Sequence, residues 1–197
     1  AALAAFYKKI PVAHVEAGLR TRDKLSPWPE EMNRRLVGGI ASLHFAPTEW
    51  ARNNLSAEGV NDDRIAVTGN TVIDALEFVS SALQNGGLCP DSATQELIND
   101  NLPTRILVTG HRRENFGAGF TEVCNALKIL AQRRGVQIIY PVHPNPNVSE
   151  IVFEQLENVP SIKLIAPQNY VSFVYLMTQS TLILTDSGGI QEEAPSL

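Results

Sequence analysis

The sequence predicts an α/β fold of two doubly wound, Rossmann-like domains, and three observations predict it. Apolar runs of four to six residues alternate with helical patterns, turn-forming residues gather between 84 and 103, and glycines and titratable residues follow the ends of the apolar runs. Short runs without polar alternation are strands covered on both faces, which means parallel strands joined by helical crossovers. In such folds ligands bind beyond the carboxyl ends of the strands.

The elements follow in order. Residues 1–9 read as the end of a helix, 11–15 as a buried strand and 16–29 as a polar loop. A helix over 30–42 opens with Glu30 and Glu31, which suit the positive end of its dipole. A strand over 43–46 leads to Thr48, a cap for a helix reaching about residue 58. A strand at 65–68 and a helix at 71–83 complete a first domain, 1–83. Residues 84–103, rich in Asn, Gly, Pro, Asp and Ser around a short helical piece, have the composition of a linker. The second domain, 104–197, repeats a stricter pattern: strands at 105–109, 137–142, 162–165 and 181–185, and helices at 119–134, 148–156 and 170–178. The chain starts inside a helical pattern without Met and stops just after another helix begins, so both domains are expected to be incomplete here.

Composition narrows the classes of function. The 16 basic and 21 acidic residues leave a formal charge of −5, with both signs scattered, which argues against nucleic acid or an anionic membrane as partner. No apolar run approaches the ~18–20 residues of a membrane span and no leader pattern precedes the first strand, so a cytoplasmic location is expected. Cys89 lies in a loop-like stretch and Cys124 in a helical one, suggesting neither a disulfide framework nor a metal site.

The most informative stretch is Leu182-Ile183-Leu184-Thr185-Asp186-Ser187-Gly188-Gly189 followed by Gln191, Glu192 and Glu193. A strand running into Ser-Gly-Gly and a helix start makes an anion cradle, where glycines let a diphosphate approach the backbone and an acidic residue further on takes ribose hydroxyls. A strand-to-helix corner needing glycine for its backbone angles accounts for the same residues. His111, between Gly110 and Arg112-Arg113, suits a phosphate or a departing phosphate, although Arg113 and Glu114 also form a natural ion pair. His14 and His44 read as hydrogen-bonded structural residues. Glu16 ends a buried strand before Ala-Gly, and either caps a turn or is held in a cleft. For Glu30 and Glu31, helix-dipole stabilisation and catalysis both fit.

These residues carry a resemblance. His14-Val15-Glu16-Ala17-Gly18-Leu19-Arg20-Thr21, Pro27-Trp28-Pro29-Glu30-Glu31-Met32-Asn33-Arg34, Phe45 to Glu49, Thr68 to Ala75, Gly110 to Asn115 and Thr185 to Pro195 resemble, in order, the bacterial non-hydrolysing UDP-N-acetylglucosamine 2-epimerases. The resemblance implies a glycosyltransferase-B-like fold with the nucleotide-sugar in the interdomain cleft. It implies interconversion of UDP-N-acetylglucosamine and UDP-N-acetylmannosamine by elimination of UDP to 2-acetamidoglucal and re-addition, with no metal or redox cofactor. By similarity Glu16 and Glu30 are the acid/base carboxylates, with Glu31 a substitute for Glu30 if the loop register differs. His111 assists UDP departure, Ser187, Gly188 and Gly189 hold the diphosphate, and Glu193 accepts the ribose hydroxyls. Arg112 and His143 face a second UDP-N-acetylglucosamine that activates several bacterial members. A homodimer is the expected assembly. The Pro-Trp-Pro-Glu-Glu loop favours the non-hydrolysing branch over relatives that release N-acetylmannosamine and UDP. The family's phosphate-binding arginine and another acidic residue precede position 1, so the isolated chain is alternatively an inactive fragment that binds UDP weakly or not at all.

Overall fold

The computed structural model describes residues 1–98, 104–110 and 117–197. The chain divides into two compact units, Ala1–Asp74 and Ala75–Leu197.

The first unit holds helix α1 (Ala2–Tyr7), strand β1 (Ala13–Val15), α2 (Glu30–Ile40), β2 (Leu43–Ala46), α3 (Glu49–Ala57) and β3 (Ile65–Val67), and ends in the first residues of α4 (Thr71–Gln84). Its strands form one parallel sheet in the order β1-β2-β3, with His14 opposite His44 and Phe45 opposite Ala66. Thr48 caps α3 as its position predicts, accepting from the Ala51 N–H at 3.1 Å. The buried apolar cluster here is small, Ala17, Ala46, Ala51 and Leu55, so main chain approaches main chain closely.

The second unit begins inside α4 and continues through α5 (Ser92–Glu96), β4 (Thr104–Thr109), α6 (Ala118–Ala131), β5 (Val136–Pro141), α7 (Pro146–Leu156), β6 (Ile162–Ile165), α8 (Tyr170–Thr178), β7 (Leu182–Thr185) and α9 (Gly188–Glu193). All four strands pair in parallel, in the order β6-β5-β4-β7. Alternate residues feed opposite faces, as strand geometry requires. Ile106, Val108, Ile138 and Tyr140 pack with Phe120 and Leu127 of α6 and Val148 and Val152 of α7. Leu107 and Ile139 face the other way, onto Leu76, Val79, Val174 and Met177. This is the doubly wound arrangement that the apolar runs predict.

Packing starts the second unit at Ala75, before the first domain's expected end at 83 and the second domain's expected start at 104, because Leu76 and Val79 of α4 belong to the apolar layer beneath β4 and β5. The linker-like stretch is docked as well. Leu88, Leu97 and Ile98 join the same layer, Asp91 caps α5 by accepting from the Thr94 N–H, and the Ser172 hydroxyl of α8 donates to the Asp91 carboxylate. Among the described residues no helix is long and apolar enough to cross a membrane.

Candidate functional site

The strand order of the second unit locates a crevice. From β4 the chain steps to β5 and β6 on one side, and β7 then returns to the opposite side of β4. Loops leaving β4 and β7 therefore diverge to opposite faces, and the gap between them is where doubly wound sheets bind ligands. Those loops carry Gly110 and Asp186-Ser187-Gly188-Gly189. Side chains tie the two strand ends together: the Thr109 and Thr185 hydroxyls are hydrogen-bonded at 2.7 Å, and the Ser187 N–H donates to Thr185 Oγ1 at 2.9 Å. Buried Tyr140, its phenol pushed well up by burial and so neutral, donates to the Gly110 carbonyl at 3.2 Å. Beside them a cavity of about 170 Å³ is lined by Thr109, Gly110, His143, Gln168, Phe173 and Ile190, among others.

The glycines of the Ser-Gly-Gly turn bear on the two readings of that motif. Neither Gly188 nor Gly189 has positive φ, and a Cβ added at Gly189 would meet nothing within 4 Å. A corner needing glycine for its backbone is thus not what Gly189 reports, since helix propensity there favours alanine. A methyl at this position would face open space. Ser187 occupies the helix cap without a side-chain capping bond. Glu193, at the other end of α9, is only 8% exposed, and the Tyr170 hydroxyl donates to its Oε1 at 3.3 Å. Burial raises its pKa, the Tyr170 bond lowers it and neighbouring Glu192 raises it, for a net upward shift. His143 is exposed on the cavity rim, and its Nδ1 accepts from the Asn145 N–H at 3.1 Å, which puts the proton of the neutral ring on Nε2.

In the first unit, Glu16 follows β1 with φ +62°, left-handed backbone that costs a non-glycine residue and is kept only when surroundings impose it. Here they do. The Ala17 N–H donates to the Phe45 carbonyl, Asn54 of α3 donates to the Gly18 carbonyl, and a Cβ on Gly18 would lie 2.1 Å from the Ala51 carbonyl oxygen. The Glu-Ala-Gly order is thus explained: Ala17 and Gly18 permit contact with α3, and Glu16 is turned out exposed at the strand's carboxyl end. Arg20, two residues further on, is buried in a two-pronged ion pair with Glu58, both contacts at 2.8 Å.

The adjacent glutamates of α2 part company. Glu30 is exposed, whereas Glu31 is fully buried and accepts from the Thr21 N–H (3.0 Å), the Arg22 N–H (3.2 Å) and Arg35 Nε (3.1 Å). Burial raises the Glu31 pKa, but the Thr21, Arg35 and Arg22 hydrogen bonds outweigh it and hold the carboxyl below its usual range. Glu31 fastens the active-loop candidate to α2. Burial, which adjacent identical residues in one helical turn do not reveal, separates the two roles.

The histidine pair departs from the expectation. His14 and His44 lie opposite each other on β1 and β2 with ring centroids 6.4 Å apart, and both Nδ1 atoms are buried without a hydrogen-bond partner among the described residues. His44 nevertheless has a backbone hydrogen bond with Ala41, so the pair is structural and satisfied only in part. His111 and Arg112 lie outside the described residues.

Against this geometry, comparison with known proteins is decisive. The family model described as UDP-N-acetylglucosamine 2-epimerase matches residues 1–197. The chain belongs to this family. It is 57% identical over 199 residues to the UDP-N-acetylglucosamine 2-epimerase of Yersinia pestis, covering 100% of this chain and 53% of that protein. It is 56% identical over 197 residues to that of Escherichia coli K12, covering 99% and 52%. The chain therefore spans about half the length of these relatives. Among solved structures, the Neisseria meningitidis UDP-GlcNAc 2-epimerase bound to UDP-GlcNAc is 47% identical with a TM-score of 0.89, covering 98% of this chain and 53% of that one. The Methanocaldococcus jannaschii enzyme in complex with UDP-GlcNAc and UDP is 38% identical with a TM-score of 0.78, covering 99% and 53%. The structural neighbours within the epimerase family are glycosyltransferase-B-like, in agreement with the expected fold class.

Proposed function

We propose that the protein carrying this chain is a non-hydrolysing UDP-N-acetylglucosamine 2-epimerase. The observation that carries the reading is membership of the family over the whole chain, with a ligand crevice at the sheet's switch point and a turned-out carboxylate after β1. In the reaction a carboxylate removes the proton at C2 while the C1–O bond breaks, its electrons leave with UDP, and 2-acetamidoglucal remains. UDP then adds back at C1 as a proton is delivered to the other face of C2. Glu16 and Glu30, both exposed beside a held loop, are the proton-transferring pair, and Glu31, already committed to that loop, is not. His111 assists UDP departure. The Ser187-Gly188-Gly189 turn, where main-chain approach is open, takes the diphosphate and Glu193 takes the ribose hydroxyls. His143, on the rim of the cavity beside Gly110, and Arg112 serve a second, activating UDP-N-acetylglucosamine; the assembly is a homodimer acting in the cytoplasm.

Proton NMR of UDP-N-acetylglucosamine in D₂O with the protein carrying this chain tests the reading. UDP-N-acetylmannosamine with deuterium at C2 is expected. Free N-acetylmannosamine plus UDP would move the protein to the hydrolysing branch, and no exchange would remove the activity.

A further inference from the structure

Glu193 presents an unusual balance of burial and satisfaction. A carboxylate has about four acceptor sites, and those the chain itself leaves empty are open to outside donors. Glu193 is nearly inaccessible, yet the hydrogen bond it receives among the described residues comes from the Tyr170 hydroxyl, onto Oε1. Oε2 thus has capacity for a donor pair from outside the chain, and the adjacent hydroxyls of a ribose are such a pair. Tyr170 is itself well placed to hold a bond steady. It is the first residue of α8, whose start is fixed by Asn169 accepting from the Ser172 N–H at 2.9 Å, and its ring is half-exposed, so an isosteric replacement does not empty a core.

We propose that Tyr170 is a positioning residue for the nucleotide ribose: by donating to Glu193 Oε1 it orients the carboxylate and so sets the discrimination between ribose and 2′-deoxyribose. The inference rests on the reading of Glu193 as the ribose acceptor. Hydrogen bonding to the charged form favours that form, whereas burial and Glu192 oppose it. Without the phenol, the carboxyl takes up a proton at higher pH and becomes a donor where the ribose needs an acceptor.

The test is the ratio of affinities for UDP and 2′-deoxy-UDP, measured by calorimetry from pH 5 to pH 8 on the protein carrying this chain. The diphosphate is common to both ligands, so its own titration cancels. The unaltered protein is expected to prefer UDP by about ten- to a hundredfold, the worth of one hydrogen bond to a charged group. Tyr170→Phe is expected to cut the preference about threefold or more and to move its acid limb to higher pH, while Tyr170→His, which keeps a donor, retains more of it. Glu193→Gln is expected to bring the ratio close to one. If Glu193→Gln collapses the ratio but Tyr170→Phe leaves both ratio and pH profile as they were, the role of Tyr170 is overturned and Glu193 keeps its own. If Glu193→Gln changes nothing, the ribose reading of Glu193 fails and the proposal with it.

Discussion

Replacing Glu31 with alanine removes the acceptor for two loop amides and one guanidinium. Hydrogen bonds to a charged group contribute about 1.5–3 kcal/mol each. Thr21 and Arg22 are themselves exposed, so their freed amides regain water and the low end applies to both. Arg35 is about one-third exposed and sits four residues along the same helix, so its screened pairing adds only about 0.3–0.5 kcal/mol. Alanine's better helix propensity returns a few tenths. The net loss is about 3 kcal/mol, or about 6–12 °C in Tm for a chain of this size. The sign of the pH dependence is fixed as well. The folded-state pKa lies below the usual 4.5, so this stabilisation is present above pH 4.5 and is lost as pH falls through the folded value. Thermal melts by circular dichroism should show the two proteins well apart at pH 7 and converging below pH 4.5. A Glu31→Ala melt within about 2 °C of the parent at pH 7, or a gap that persists unchanged at pH 3, would refute the role assigned to Glu31. The neighbouring Glu30→Gln variant should melt with the parent and lose C2 exchange; the reverse pattern would exchange the two assignments.

Further outcomes follow from the same geometry. Gly189→Ala should stabilise the fold by up to about 1 kcal/mol, since α9 gains helix propensity and the added methyl meets nothing, yet weaken UDP binding; unchanged affinity in calorimetry would return the turn to a purely structural role. Burial lowers the pKa of both His14 and His44, so below their usual 6.5 the unfolded chain binds protons that the folded chain refuses. Urea midpoints should therefore fall as pH drops from 6.5, and His44→Phe should flatten that slope; a slope unaltered by the substitution would place the acid sensitivity elsewhere. Glu16→Gln should abolish solvent deuterium incorporation at C2 while leaving UDP affinity within about twofold, and exchange at the parental rate would take Glu16 out of the chemistry.

Much of this was legible before any coordinates. The period of the apolar runs names each strand because a parallel strand buried on both faces has no polar side to interrupt it, and β4 to β7 stand where those runs stand. Thr48 marks a helix start because a side-chain oxygen must meet the unpaired amides there. The candidate site residues were picked out chiefly because they follow strand ends. What composition misplaced was cohesion: residues 84–98 look like a linker, but Leu88, Leu97 and Asp91 dock them onto the sheet layer and α8.

The local pattern, then, determined the element types, the parallel architecture and the short list of glutamates, histidines and glycines, since each depends on spacing within a few residues. Only the tertiary structure decided which members of that list are buried, bonded or open. Glu31 differs from Glu30 by the loop folded over it, Gly189 from Gly18 by the empty space before one and the α3 carbonyl against the other, and Tyr170 meets Glu193 from 23 positions away along the chain. Burial and partnership are properties of distant chain brought together, and no local spacing contains them.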